Sequence, residues 1–302
     1  MDRRGFDCPS SAAAERLESI GRAFLGGYHA VLDDPSVATL GRRIDQTSVP
    51  ENRGFAYEGA GMALMLLDRL GIGRGSFAAF LEGPGAPHMY LVHVGAGWAV
   101  ARLPWLRWRL SRTLNSHDSF LRWLVVDGWG FHEGYFHWPA TIRRHQLPSG
   151  LDGYAGRAFD QGLGRSLWFV EGIDPERVAS SISRFPAHRH HDLWAGVGLA
   201  SAYAGGAGRE ALERMATLAG AHAAAAAQGA AAAAEARDCA GNPAGYCDLA
   251  CRVLCGMPAD AAAAVARQMR LHLPPDGAIP AYEVWRTRIQ QQFVSAEQGV
   301  RR

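Results

Sequence analysis

Apolar residues along the chain recur with the three- and four-residue spacing of helices rather than the alternation of strands. The stretches AGMALMLLDRL (60–70), AGWAVARL (96–103), LGRSLWFV (163–170) and VGLASAYAG (197–205) each carry this pattern. Second, more polar helical stretches follow at 76–82, 174–183 and 208–220, separated by Pro/Gly-rich links at 83–88, 138–140 and 184–188. Asp174-Pro175-Glu176 has the order of a helix start: a capping carboxylate, a proline in the first turn, then an acid.

The pattern has an internal period. Gly-x-Gly occurs at Gly59/Gly61, Gly95/Gly97, Gly128/Gly130, Gly162/Gly164 and Gly196/Gly198, preceded by Gly26-Gly27; counted from Gly26 the spacings are 33, 36, 33, 34 and 34. A period of this size predicts an all-α fold of stacked helical hairpins, as an α-solenoid or a closed α/α toroid, because one hairpin cannot bury its apolar face alone. The glycines are expected at or near the start of the first helix of each pair, where small residues permit close packing or tight entry. A single domain is expected over 15–294, with a disordered 1–14 and a frayed 295–302. The alanine-rich 221–237 reads as an insertion or exposed helix, which makes Gly229 a tolerant position, and 242–256 as a degenerate seventh unit.

At 302 residues, 48% hydrophobic and 20% charged, the chain is long enough for one large core. A net charge of +2 gives no electrostatic reason to expect nucleic acid. All 31 basic residues are Arg; the absence of Lys removes Schiff-base chemistry, a lysine-held pyridoxal cofactor and a phosphate-loop lysine. No apolar run reaches the ~18 residues of a membrane span. The charged N-terminus has no following apolar stretch of signal type, so the cytoplasm is expected, with the five cysteines as thiols.

Polar residues gather just before the glycine pairs: Tyr57 and Glu58, His93, Asp127, Asp160 and Gln161, and Asp192. His132, Glu133 and Arg165 lie within a turn of them. In a register-stacked array these positions converge, and carboxylates, imidazoles and a guanidinium together can run acid–base chemistry. The competing account is helix capping. Arg165 lies among Leu163, Leu167 and Trp168, so it is expected to be buried and hence paired with Asp127, Glu133 or Asp192. Trp98, Trp129, Trp168 and Trp194 recur beside the polar set and fit an apolar ligand cavity. Candidate catalytic residues are thus Glu58, Asp127, His132, Glu133, Asp160, Arg165 and Asp192. Candidate substrate contacts are Tyr57, His93, Trp98, Trp129, Gln161, Trp168 and Trp194.

Metal and cofactor motifs are weak. In His132-Glu133-x-x-x-His137 the histidines sit five residues apart, and on a helix positions i and i+5 diverge by about 140°, so no metal is expected. His188, His190 and His191 read as a solvated link, and Cys247, Cys251 and Cys255 as a buried helical stripe. There is no nucleophile elbow, no Asp-Asp-x-x-Asp or Asp-x-Asp-Asp run (Asp33-Asp34 is followed by Pro-Ser-Val) and no dinucleotide fingerprint, and no cofactor is expected. The segment Leu103–Leu114 is basic and amphipathic; it reads as a surface helix with arginine stems lying over tryptophan, with contact to a membrane or partner as the alternative.

Six ordered blocks carry a resemblance: GRAFLGGYHAVL (21–32), RGFAYEGAGMALMLLD (53–68), YLVHVGAGWAVARLP (90–104), VVDGWGFHEGYF (125–136), FDQGLGRSLWF (159–169) and DLWAGVGLASAYAGG (192–206). Over about 15–290 the chain resembles the UnbL family, bacterial proteins of unknown function associated with enediyne polyketide gene clusters. That resemblance implies a role in making a polyketide-derived product and carries no catalytic residues with it. The resulting expectation is an enzyme that moves protons on, isomerises or cyclises a hydrophobic polyene, with other biosynthetic enzymes as partners. The alternatives are a non-catalytic helical scaffold for a synthase or tailoring partner, and an isoprenoid cyclase-like enzyme without its metal motifs.

Overall fold

Helices begin where the sequence supplies caps. The Asp174 carboxylate accepts from the backbone N–H groups of Glu176 and Arg177, and the Ser10 hydroxyl accepts from Ala13. A computed structural model of the chain describes residues 5, 6, 8 and 10–300, with side chains to 294. The described residues are all-helical, without a strand. In chain order the helices are α1 (Ser11–Asp33), α2 (Val37–Thr47), α3 (Arg53–Arg69), α4 (Ser76–Glu82), α5 (Met89–Arg102), α6 (Pro104–Trp108), α7 (Leu110–Leu114), α8 (Arg122–Phe136), α9 (Tyr154–Val170), α10 (Pro175–Ser183), α11 (Ala187–Tyr203), α12 (Arg209–Ala219), α13 (Ala223–Cys239), α14 (Gly245–Leu254), α15 (Ala259–Met269) and α16 (Ala281–Val300). Among the described residues no single helix is long and apolar enough to cross a membrane.

The long helices α1, α3, α5, α8, α9, α11 and α13 pack each against the next. Between α8 and α9, Trp123 meets Tyr154, Asp127 meets Gln161 and Gly134 meets Ser166. The near-constant sequence offset means that these two neighbours run in the same direction, so the intervening chain must return along the outside. Each contact in the row is made by one glycine from either side. A Cβ on Gly130 would lie 2.1 Å from the Phe159 carbonyl oxygen, and one on Gly162 would lie 1.8 Å from that of Asp127. Gly164 and Gly196 repeat this at 2.1 and 2.0 Å, and Gly198 and Gly229 at 2.0 Å each. The obstacle is backbone every time, so no side-chain rotation relieves it. The row also curls back on itself: Tyr203 of α11 stands edge-on to Phe55 of α3, and Tyr90 of α5 donates to Glu235 of α13 at 3.0 Å.

Several expectations are corrected here. The Gly-x-Gly pairs sit mid-helix, not at helix starts, because their task is close approach rather than chain entry. At the head of the series Gly27 makes the contact, 1.8 Å from the Ala56 oxygen, while Gly26 faces open space. The alanine-rich segment is neither an insertion nor an exposed helix. Within α13, Ala225, Ala226, Ala230 and Ala231 are fully buried, and Gly229 continues the glycine series, its Cβ position 2.0 Å from the Ala195 oxygen. Alanine suits this place because α11, α14, α15 and α16 all pack against α13. That role also displaces 242–256 as the next unit of the row. At the ends, residues 11–14 are already helical and α16 continues to Val300; residues 1–4, 7, 9, 301 and 302 lie outside those described. The buried thiols of Cys251 and Cys255 face the Ala230 and Ala227 carbonyls, consistent with packing.

Candidate functional site

Five helices of the row, α1, α3, α5, α8 and α9, line a partly open cavity of about 140 Å³. Its wall is aromatic: Phe24, Phe55, Trp98, Phe131, Tyr135, Phe136 and Phe169, with Leu17 and Ile20 of α1 forming one side. Among the described residues two charged side chains reach it, Glu58 and Arg165. Both positions follow from the glycine rule. Glu58 directly precedes Gly59 and Arg165 directly follows Gly164, so each projects inward beside a close helix contact.

Arg165 is buried and pairs with Asp127, with its guanidinium 5.1 Å from the Phe131 ring centre. Asp127 also accepts from Gln161 Nε2 at 2.8 Å, and that same amide group lies 3.1 Å from the Tyr282 hydroxyl. The group therefore holds one cation and two carboxyls. Asp127 takes the guanidinium directly, and Glu58, 2% exposed, is left in an apolar wall. Burial pushes the Glu58 carboxyl up to about 7, with Arg165 pulling it down and Asp127 adding to the rise. Trp98 Nε1 falls outside hydrogen-bond geometry but lies close enough to favour the charged form. On the far side of Arg165 a second space of about 40 Å³ is bounded by Tyr90, Asp127, Tyr203 and Tyr282. Arg165 is the wall between the two.

The other expected site residues lie elsewhere. Asp160 pairs with Arg189 at 2.5 and 2.8 Å, not with Arg165. Asp192 accepts from Arg157 at 2.9 Å and pairs with Arg286 at 2.8 Å. Tyr57 stacks on His88 and Phe80, with its hydroxyl 3.3 Å from Asp45. His93 hydrogen-bonds Met89 O and stands edge-on to His117, and burial holds it below the usual imidazole range. Trp129 and Trp168 are fully buried core residues, the latter donating to Gly205 O at 3.0 Å, and Trp194 is equally buried. Of the four tryptophans only Trp98 lines the cavity. A shared place in the row fixes which helix face a residue is on, but neighbouring helices present that face at different angles.

His132, Glu133 and His137 form a further group. Glu133 takes His132 Nδ1 at 3.3 Å on one oxygen and His137 Nδ1 at 2.7 Å on the other. The i,i+5 argument against convergence fails because α8 ends at Phe136 and His137 turns back as its cap. Donor atoms of the three residues lie within 4.8 Å of one another, so this set is able to hold a divalent ion. His132 abuts Trp98 and Phe136, behind the cavity wall. His188, His190 and His191 open α11 instead of forming a link, with His190 held by Phe185 O at 2.7 Å.

Sequence reasoning missed the partners from the last third of the chain: Gln228, Tyr282, Glu283 and Arg286. One signal was available. Glu58, Asp127 and Gln161 each directly precede the first glycine of a pair, and Gln228 precedes Gly229 in the same way. The α16 residues carry no such mark.

Residues 1–293 match the family described as protein of unknown function (DUF1702). The chain belongs to that family. No curated protein and no solved structure matches it, so within DUF1702 any function for this chain must be argued from the site itself.

Proposed function

We propose that this DUF1702 protein is an acid–base enzyme acting on a hydrophobic, polyunsaturated intermediate, polyketide-derived as the UnbL resemblance implies. Glu58 is the proton carrier, and one observation bears the reading: a buried carboxyl held near neutrality on the wall of an aromatic cavity. The neutral carboxyl gives its proton to one carbon of a double bond, and the resulting carboxylate removes a proton from another. The double bond shifts, or the chain closes on itself, and Glu58 is restored. Faces of Phe24, Phe55 and Phe131 stabilise the cationic intermediate, while Arg165, neutralised by Asp127, positions Glu58. The row of glycine-paired helices is read here as a closed array in which the cavity is internal. A scaffold role would call for an open groove, and the inward-facing carboxyl has no use in one.

The test is complementation of a gene deletion with wild type and with Glu58→Gln, followed by metabolite profiling and melting of both purified proteins. A folded Glu58→Gln that leaves a polyene accumulating is the expected result; a folded Glu58→Gln that restores the normal product overturns the reading.

A further inference from the structure

The short helices α6 and α7 carry two apolar faces, and only one of them is used. Leu103, Leu106, Leu110 and Leu114 are buried and fix the segment to the body. On the outside Trp105 is 44% and Trp108 80% exposed. Among the described residues no guanidinium stacks on either indole, where the sequence reading expected arginine over tryptophan; the cation–ring contacts in this part of the molecule lie elsewhere, such as Arg102 over Phe136. A fully wet indole is costly and uncommon on a protein surface.

Charge surrounds this patch on one side of the balance only. No Asp or Glu occurs between Glu82 and Asp118, while Arg102, Arg107, Arg109 and Arg112 all fall in that interval. Arg69, Arg109 and Arg112 together with Trp105 line a shallow depression on the surface. Among the described residues Arg107, Arg109 and Arg112 have no carboxylate partner. Asp118, the next acid along the chain, caps Phe120 and Leu121, and Asp68 accepts from Gly75, Ser76 and Phe77.

We propose that α6 and α7 dock the protein peripherally onto an anionic lipid bilayer. Trp105 and Trp108, three residues apart on one helix flank, insert at the headgroup level, and the arginines meet lipid phosphates. The charge fixes the sign of the surface, and the indoles favour an interface that is half wet and half apolar. A bilayer also needs no complementary groove, and the patch is a shallow surface rather than a cleft. Docking there is independent of the chemistry at Glu58.

Co-sedimentation of the full chain with phosphatidylcholine vesicles, with and without phosphatidylglycerol, tests this. Binding is expected only with phosphatidylglycerol present, weakening at raised salt, about fivefold for each of Arg109→Gln and Arg112→Gln, and at least tenfold for Trp105→Ser with Trp108→Ser. These exposed positions leave folding intact, which melting of the variants checks. Absence of binding to the phosphatidylglycerol vesicles overturns the proposal, as does equal binding by the tryptophan double variant. Displacement of the protein from vesicles by inorganic phosphate at matched ionic strength also overturns it, because the arginines would then form a soluble-anion site.

Discussion

Two buried charge clusters stand side by side in the row and differ in one respect. Around α11 and α16, Asp192, Glu283, Arg157 and Arg286 hold two positive and two negative charges. Arg157 meets Glu283 at 2.8 Å, Arg286 meets Glu283 at 3.1 Å, and Gln228 and Tyr154 add hydrogen bonds at 3.2 and 2.7 Å. Between α3, α8 and α9, Glu58, Asp127 and Arg165 hold two carboxyls against one guanidinium beside a cavity. The balanced cluster behaves as structure: Arg286 and Arg157 hold the Asp192 carboxyl below the usual range despite its burial. The unbalanced one leaves Glu58 with a proton near neutral pH. Buried charge alone therefore does not mark a site here. A surplus carboxyl facing a cavity is what sets the proposed site apart.

The largest expected effect breaks both clusters together. Gly162→Val and Gly229→Val each drive a side chain into a backbone oxygen, at 1.8 and 2.0 Å from the new Cβ. Each is expected to cost more than about 5 kcal/mol or to abolish folding. Gly26→Ala, with nothing within 4 Å, stabilises by up to about 1 kcal/mol through helix propensity. Thermal melts of the three order them; equal melting temperatures would remove the glycine contacts as the basis of the row.

Next, Asp192→Ala leaves Arg286 and Arg157 short of a carboxylate, and the loss is expected at about 3–5 kcal/mol in denaturant titrations. A loss under about 1 kcal/mol would mean that Glu283 alone balances the cluster.

The unbalanced cluster is separated from it by pH. Folded Glu58 titrates near 7 and an ordinary Glu near 4.5, so between these values the folded state holds a proton that the unfolded chain has released. The stabilisation is present in full below about pH 4.5, declines as pH rises and is lost above about pH 7, a total of about 3 kcal/mol. Glu58→Gln should flatten that decline. A wild-type stability curve without this component, or a variant curve that keeps it, would move the proton elsewhere.

The smallest effect concerns Asp160. Its partner is Arg189, away from the cavity, so Asp160→Asn is expected to cost about 1–3 kcal/mol while complementing the deletion strain normally. Loss of product with stability intact would extend the site to this pair.

The part of the candidate site legible in the sequence was that Arg165 is buried and paired with a carboxylate; the choice of Asp127 over Glu133 and Asp192 was made by the fold. A guanidinium among Leu163, Leu167 and Trp168 must be buried, and a buried guanidinium needs a carboxylate, with Asp127, Glu133 and Asp192 as the acids that neighbouring units offer. Glu58, Asp160 and Asp192 were all visible as acids within four residues before a glycine pair, but which of them lacks a cation of its own was not. The metal-capable His132–Glu133–His137 group was misjudged because its geometry depends on where α8 stops, and nothing local before Pro139 announces that end.

The all-helical class, the glycine-marked units and the inventory of inward polar residues were determined by the sequence, because they depend on periodicity within a few turns of chain. Tertiary structure decided the burial of the alanine-rich helix, since alanine reads as exposed or as tightly packed according to what surrounds it. Tertiary structure also decided which carboxyl keeps a proton: Arg189 reaches Asp160, Arg157 and Arg286 reach Asp192, and Asp127 takes Arg165 away from Glu58. Those partners come from helices up to 94 residues away along the chain, as with Asp192 and Arg286, and no local pattern specifies a distance of that length.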